Sequence, residues 1–369
     1  MISLRSASKR RCKPELPPAG LWLTDATRLD LLLAGQSPQV LGVALIGSGS
    51  AQAAQVISND QLSQRVDTND EWIRTRTGIG RRRVSDAGQT LVDLAAEAGR
   101  NALTMAGRSP EDLDLILLAT STPDDLFGSA PRVQADLGAT NAVAFDLTAA
   151  CSGFLFALVT AAQYLRTGAM RRALVIGADQ LSRFVDWDDR RSCVLFGDGA
   201  GAVVLEASDQ DGLLGFLLNS DGSRGAVLNL PAIDTSSPLV DEAVHRAGGF
   251  QPIVMNGQEV YKFAVREVPA VLQSLLKRCD VSPDQLDWLL LHQANQRILD
   301  AVADRLSVPS AKVLSNLAEY GNTSAATIPL MLDEAVRDGR VCSGDLLASS
   351  GFGAGLSWGA ALLRWQGPA

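Results

Sequence analysis

Ser109-Pro110-Glu111-Asp112-Leu113-Asp114-Leu115-Ile116-Leu117-Leu118 returns 173 residues later as Ser282-Pro283-Asp284-Gln285-Leu286-Asp287-Trp288-Leu289-Leu290-Leu291. A second pair follows in the same order: Phe196-Gly197-Asp198-Gly199-Ala200-Gly201 and, 156 residues on, Phe352-Gly353-Ala354-Gly355. One matched decapeptide can arise by chance, but two in order imply a duplicated unit. The period is too long for a solenoid. The repeat therefore predicts two like halves stacked about a pseudo-twofold axis, with the ends of matched strands meeting near it. Sites gather at such junctions.

The stretches around the repeats alternate between strand and helix. Apolar strands are expected over 40–49, 113–119, 142–147, 172–177, 200–206, 215–219 and 356–364. Helices are expected over 58–66, with Asn59-Asp60 as the N-cap signal, and over 90–105, 130–137 and 154–165. The alternation argues for an α/β layered fold. We divide the chain into an N-terminal half (39–212), a C-terminal half (213–369) and an extension (1–38). The extension carries Arg5, Lys9, Arg10, Arg11 and Lys13 among serines, ahead of Pro14, Pro17 and Pro18. It resembles an organelle-targeting segment; a flexible extension, with a short helix over 21–33, is the preferred reading.

Composition narrows the chemistry. Of 369 residues 46% are hydrophobic, enough for a large core, and the net charge of −8 argues against general nucleic-acid affinity. An acidic partner would need a local basic patch. Five scattered cysteines (Cys12, Cys151, Cys193, Cys279, Cys342) show no CxxC spacing, which fits a reducing compartment and offers no zinc site. No apolar run is long enough to span a bilayer. A cytoplasmic protein without a metal is expected.

The chemistry centres on Thr148-Ala149-Ala150-Cys151-Ser152-Gly153, between an apolar strand and an apolar helix. A cysteine at a helix start meets free N–H groups and the positive end of the dipole, which lower its thiol pKa. Small neighbours leave room for a substrate. A buried, inert cysteine is the commoner fate of such a residue, so its partners decide. The second half offers His292, directly after the matching strand in Leu291-His292-Gln293-Ala294-Asn295. It also offers Asn322, in Gly321-Asn322-Thr323-Ser324-Ala325-Ala326. Asn322 lies 171 residues beyond Cys151 and reads as nearly its repeat-mate. The other histidine, His245, sits in a polar segment and reads as a surface residue; Cys193, Cys279 and Cys342 read as core or boundary residues. As a thiolate, Cys151 attacks a thioester and holds an acyl group. His292 and Asn322 can both donate to one carbonyl oxygen and stabilise an enolate formed by loss of carbon dioxide. The turn Gly351-Phe352-Gly353-Ala354-Gly355 can aim a backbone N–H at an oxyanion. A phosphate cradle is the alternative, but a strand follows the turn, not a helix.

These residues, with Asp70-Glu71-Trp72-Ile73, Arg76-Thr77-Gly78-Ile79 and Phe196-Gly197-Asp198-Gly199, stand in one order from about residue 40 to the C-terminus. In that order the chain resembles the β-ketoacyl-acyl-carrier-protein synthase III family of the thiolase-like superfamily. The resemblance implies a five-layered α-β-α-β-α fold built from two duplicated halves. It implies a decarboxylating Claisen condensation of a short acyl-CoA, acetyl-CoA above all, with malonyl-acyl-carrier protein. The products would be 3-oxoacyl-acyl-carrier protein, carbon dioxide and coenzyme A, at the start of type II fatty acid synthesis. No cofactor is implied beyond these substrates. By the same resemblance Cys151 is acylated, and His292 and Asn322 assist decarboxylation. The backbone N–H groups of Cys151 and Ala354 would form the oxyanion hole, although family members often carry glycine where Ala354 stands. Trp72 and Arg190 would sandwich the adenine of coenzyme A, with Thr68 and Arg76 nearby and Asn295 along the pantetheine. Lys262, Arg297 and Arg305 would dock the acidic carrier protein, although Asp304 stands where the family tends to have a further cation. A homodimer is implied, in which Leu126 or Phe127 enters the partner's acyl pocket and limits primer length. A type III polyketide synthase and a synthase-III-like acyltransferase of secondary metabolism are the alternatives. The Trp72 motif and the His292-to-Asn295 motif speak against the first, and the intact His-Asn pair against the second.

Overall fold

The computed structural model describes residues 40–246 and 248–368. The expectations for residues 1–38, including the helix over 21–33 and Cys12, lie outside the described residues. The two Ser-Pro repeats take one shape. Ser109 and Ser282 each lead a single 3-10 turn with proline first, Pro110–Asp112 and Pro283–Gln285. Asp112 accepts the Ser109 N–H at 2.9 Å, and Gln285 accepts the Ser282 N–H at 2.8 Å. Proline fits because its missing N–H had no partner there, and the reciprocal bonds satisfy donors that a helix start otherwise leaves open.

Each turn delivers the chain to a largely buried apolar strand, Leu115–Ala119 inside one sheet and Trp288–Leu291 at the edge of the other. The first sheet comprises β1 (Gly42–Gln52), β2 (Leu115–Ala119), β3 (Val143–Leu147), β4 (Arg172–Gln180) and β5 (Asp198–Ser208), in the order β1-β5-β4-β2-β3. The second comprises β6 (Leu213–Ser220), β7 (Trp288–Leu291), β8 (Leu346–Gly353) and β9 (Ser357–Arg364), in the order β7-β8-β9-β6. In the first, β2 is parallel to β4, and β4-β5-β1 are antiparallel. In the second, β7 is parallel to β8, and β8-β9-β6 are antiparallel. The sheets match strand for strand except at β3. Its counterpart is reduced to one parallel bridge, Leu289 to Val313. There the chain is drawn off the sheet edge by Gln293, which accepts the Asn316 N–H at 2.8 Å and the Ser315 hydroxyl at 3.0 Å.

The helices used below are α1 (Asp70–Thr77), α2 (Leu91–Ala106), α3 (Ala130–Leu137), α4 (Gly153–Arg166), α5 (Gly257–Arg278), α6 (Gln296–Leu306) and α7 (Thr327–Arg337). Helices α4 and α7 lie between the sheets: Phe154, Leu158, Ile328 and Met331 share one core with Leu117 and Val175 of the first sheet and Leu290 and Leu347 of the second. This is why α4, Gly153-Phe154-Leu155-Phe156-Ala157-Leu158, is apolar nearly all round. Helices α2 and α3 cover the outer face of the first sheet, and α5 and α6 that of the second. The result is five layers, α-β-α-β-α. Among the described residues no helix is long and apolar enough to cross a membrane.

Four local expectations change. The helix over 58–66 is one turn, Asn59–Leu62, capped by Ser58 with Gln61 reciprocating. Asn59 is not the cap: it is buried and donates to the Asp70 carboxylate at 2.8 Å. The Phe196 and Phe352 segments are two residues out of structural register. Gly177 pairs across strands with Gly201, and Gly351 with Gly359, so Gly201 answers to Gly359 while Phe352-Gly353 closes β8. Cys342 is exposed, whereas Cys193 is buried and Cys279 partly so. His245 is exposed, as expected, in a short hairpin.

Candidate active site

The two central helices begin alike. A 3-10 turn, Ala150–Ser152, precedes α4, and another, Ser324–Ala326, precedes α7. Ala150 and Ser324 hold φ of 47° and 52°, a left-handed conformation that costs a residue with a Cβ about 1–3 kcal/mol. These matched positions make Ala325 the repeat-mate of Cys151. Asn322 stands three residues earlier, level with Thr148, so the sequence pairing of Asn322 with Cys151 is out by one helical turn.

Each turn packs on a strand end of the opposite half. Gly177, on β4, has no side chain because a Cβ would strike the Ala325 carbonyl; a Cβ on Gly351, on β8, would come within 3.2 Å of Ser152 Cα. Two residues further along, the halves differ. On β4 stands Asp179, whose carboxylate accepts the Ala325 N–H at 3.2 Å. At the matching place on β8 stands Gly353, where a Cβ would lie 2.6 Å from the Cys151 nitrogen. Among the described residues no carbonyl or carboxylate accepts the Cys151 N–H. One half ties this donor down with a carboxylate, and the other gives it neither a carboxylate nor a carbonyl partner. Gly353→Ala is accordingly expected to cut the acylation rate about 100-fold, by pushing the Cys151 turn off its place. Single-turnover transfer from an acyl-CoA measures this; an unchanged rate would mean the turn yields freely.

Cys151 is buried, and Ser324 Oγ donates to its Sγ at 3.4 Å. Burial pushes the thiol up to about 12; the nearby Asp179 adds to the shift, and the Ser324 hydrogen bond opposes it. The lowered thiol expected at a helix start is therefore reversed, because a dry junction with a carboxylate close by disfavours the thiolate.

His292 follows β7, and its backbone N–H donates to Ser350 of β8 at 2.8 Å. Its ring meets Phe352 edge to face, with centroids 5.1 Å apart. Phe352 adjoins Gly353, and so His292 and Cys151 flank one strand end. Burial depresses the imidazole to about 3, and Nδ1 is buried with no partner; the ring is neutral. Asn322 is pinned from the first half: its N–H donates to Leu195 at 2.9 Å, and its carbonyl accepts from Gly197 at 3.0 Å. Gly321, at φ 66°, makes the approach possible, since a Cβ there would come within 2.8 Å of the Leu195 carbonyl. Asn322 Oδ1 accepts the Ser324 N–H at 2.9 Å, which leaves Nδ2 as the donor end. Ser324 thus joins Cys151 to Asn322, and His292 reaches the same strand end through Phe352. Among the described residues no group of three His, Cys, Asp or Glu side chains could hold a metal ion.

Trp72, on α1, is half-buried with Arg76 5.1 Å and Arg190 5.3 Å from its ring centroid. Arg190 also donates to the Asp67 carbonyl at 2.6 Å. A base stacked on both groups needs two contacts of about 3.5 Å each, so Arg190 must leave Asp67 to admit one. Thr68 Oγ1 is buried without a partner. Asn295 caps α6 and donates to the Arg76 carbonyl at 3.1 Å, while Arg297 donates to the Thr75 carbonyl at 3.2 Å. Lys262 pairs with Glu259 at 2.8 Å on the exposed face of α5, and Arg305 donates to the Val265 carbonyl. Leu126 and Phe127 are 83% and 98% exposed. Sequence reasoning missed Asp179, Ser324 as a contact of the sulfur, and the reason for Gly353; the lone acid closing Ala173-Leu174-Val175-Ile176-Gly177-Ala178 was the available signal.

The family model for 3-oxoacyl-[acyl-carrier-protein] synthase III matches residues 145–222, and the model for its C-terminal part matches residues 276–365. The chain is 93% identical over 336 residues to a β-ketoacyl-[acyl-carrier-protein] synthase III of Synechococcus sp. (strain WH7803), covering 91% of this chain and 100% of that one. The crystal structure of 3-oxoacyl-[acyl-carrier-protein] synthase III from Aquifex aeolicus VF5 is 43% identical with a TM-score of 0.81, covering 88% of this chain and 100% of that one. The priming β-ketosynthase from the R1128 polyketide biosynthetic pathway is 35% identical with a TM-score of 0.81, covering 90% and 99%. The fold is the thiolase-like one that the resemblance implied.

Proposed function

The chain belongs to the β-ketoacyl-[acyl-carrier-protein] synthase III family, a condensing acyltransferase that initiates fatty acid synthesis, and from that premise we propose that it joins a short acyl-CoA, acetyl-CoA above all, to malonyl-acyl-carrier protein. One observation carries this reading: the Cys151 N–H left open by Gly353 shares a junction with a neutral His292 and the donor end of Asn322. Cys151 sulfur attacks the thioester carbon, the oxyanion takes the N–H groups of Cys151 and Ala354, and coenzyme A leaves. Malonyl thioester then loses carbon dioxide, and His292 and Asn322 hold the enolate oxygen. The enolate carbon attacks the acyl carbon, and Cys151 departs as thiolate, leaving 3-oxoacyl-acyl-carrier protein. The direct test offers a panel of acyl-CoA lengths with malonyl-acyl-carrier protein. Acetyl-CoA should lead, and a preference for long primers would contradict the reading.

Trp72, with Arg190 swung off Asp67, would stack on the adenine; Arg76 and the unpartnered Thr68 hydroxyl would take the polar groups beside it, and Asn295 the pantetheine. Trp72→Ala is expected to raise KM for acetyl-CoA about tenfold, a loss of roughly 1–1.5 kcal/mol of stacking, while condensation from enzyme already acylated changes little. A matching fall in that second half-reaction would make Trp72 a packing residue.

Lys262, Arg297 and Arg305 would offer the carrier protein its cations, with binding that weakens as salt rises. A second copy of the chain would add to the free edge at β3, where Val143 is 50% exposed and an unpaired apolar strand invites pairing. Phe127 would then enter the partner's acyl pocket. Phe127→Ala should admit longer primers, and Val143→Lys should shift sedimentation toward the monomer; a dimer unaffected by Val143→Lys would place the interface elsewhere.

A further inference from the structure

His292 and Asn322 ride on separate segments. His292 follows β7, and Asn322 follows a single helical turn, Leu317–Tyr320. Gln293, the residue after His292, is buried and ties the two segments together. Its Oε1 accepts the Asn316 N–H at 2.8 Å and the Ser315 hydroxyl at 3.0 Å, and its Nε2 donates to Asn316 Oδ1 at 2.9 Å. Two donors on one oxygen fix which way the amide points. Asn316 in turn starts the helical turn: its carbonyl accepts the Tyr320 N–H at 3.2 Å, and the Leu317 carbonyl accepts the Gly321 N–H at 2.9 Å. Asn322 comes next in the chain.

The first half shows what this tie replaces. The repeat sets Leu289 against Ile116 and Gln293 against Thr120. The Ile116 pairing with Ala144 runs on to Ala119 with Leu147, and the Thr120 N–H donates to the Leu147 carbonyl at 3.1 Å. Thr148, level with Asn322, thus follows directly on a backbone ladder. In the second half the ladder is the one bridge from Leu289 to Val313. Nine residues then lead from Val313 to Asn322, against four from Ala144 to Thr148. Over the longer path the Gln293 side chain bonds where the backbone ladder has stopped.

We propose that Gln293 is a positioning residue that sets the spacing of His292 and Asn322, and with it the spacing of the two donors to the enolate oxygen. The proposal rests on the reading of that pair as enolate donors. Such donors act only when both stand about 3 Å from the developing oxyanion, and a displacement of about 1 Å costs on the order of 100-fold. The other ties of the pair reach away from it. The His292 N–H donates to Ser350 of β8, and Asn322 bonds to Leu195 and Gly197 of the first half, whereas Gln293 bonds across. A water could satisfy the Asn316 N–H. Only a side chain on the His292 segment turns that bond into a fixed distance between the two donors.

The test uses Gln293→Met, which keeps the length of the side chain and removes its three hydrogen bonds. Two rates are read in the intact protein: single-turnover acylation of Cys151 from acetyl-CoA, and release of carbon dioxide from malonyl-acyl-carrier protein. The kcat of release should fall about 10- to 100-fold. Acylation, and KM for malonyl-acyl-carrier protein, should each stay within about threefold of wild type. A double-mutant cycle separates positioning from packing. In an Asn322→Ala background no second donor is left to space, so Gln293→Met should slow release by less than about threefold more. The full loss repeated in that background overturns the proposal, as do equal losses in both rates or unchanged release. Ser315→Ala guards against a variant that fails to fold. It removes one of the two donors to Gln293 Oε1 and should cut release about three- to tenfold with acylation kept; unchanged release there also overturns the proposal. Failure of the enolate reading looks different: Asn322→Ala alone would then release carbon dioxide at the wild-type rate.

Discussion

Cys151→Ser is expected to leave no acyl-enzyme: transfer from acetyl-CoA to the peptide that spans this position should fall by on the order of 10⁴-fold or more, as loss of an activated nucleophile does elsewhere. The sulfur is a workable nucleophile here in spite of its burial, because a thiol sheds its proton far more readily than an alcohol. The serine hydroxyl would face the same dry junction with no strong base against it. His292 is neutral and depressed to about 3, too weak to accept a proton from an alcohol. The neighbouring geometry should survive, since the turn is set by the left-handed Ala150, by Gly353 beneath the Cys151 nitrogen, and by Ser152, whose hydroxyl donates to the Ala149 carbonyl at 2.7 Å. Peptide mass analysis after incubation with labelled acetyl-CoA decides the matter. Label arriving on the substituted peptide at the wild-type rate would remove Cys151 from its role.

The site was legible to different depths. Ser109-Pro110 and Ser282-Pro283 announced the duplication because a capped 3-10 turn is local, fixed by a few adjacent residues. His292 and Asn322 could be placed opposite Cys151 because the repeat carries matched strands to one axis. The exact mate of Cys151 could not, because it depends on Ala150 and Ser324 sharing a left-handed backbone, and neither residue type signals one. The direction of the Cys151 shift was hidden for another reason. A helix start is visible in sequence, but the burial and the Asp179 carboxylate that outweigh it arrive from β4, well along the chain. Gly353 read as one more glycine of a flexible turn; its meaning lies in the contrast with Asp179 at the same place in the other half.

Asn322→Ala should separate the two half-reactions. Decarboxylation of malonyl thioester, and with it condensation, should fall about 100- to 1,000-fold, the usual loss when one preorganised donor to a developing oxyanion is removed. Acylation of Cys151 should stay within about tenfold of wild type. The reason is that Asn322 is held by its backbone, through Leu195 and Gly197, and alanine keeps both bonds. Only the Oδ1 acceptor for the Ser324 N–H is lost, a modest disturbance at the sulfur. Equal losses in both half-reactions would make Asn322 a structural residue. The pH dependence gives a second handle on the same pair. Since His292 is depressed from 6.5 to about 3 in the folded protein, its neutral form is the resting one, and decarboxylation should stay flat as pH falls through 6.5. The unfolded chain binds that proton near 6.5 and the folded chain does not, so the stability that His292 contributes is fully present above 6.5 and is lost as pH falls toward 3. A decarboxylation rate that halves near pH 6.5 in a fully folded enzyme would instead show an imidazole open to water, and with it an enolate site that lacks the dry, fixed donors on which the chemistry depends.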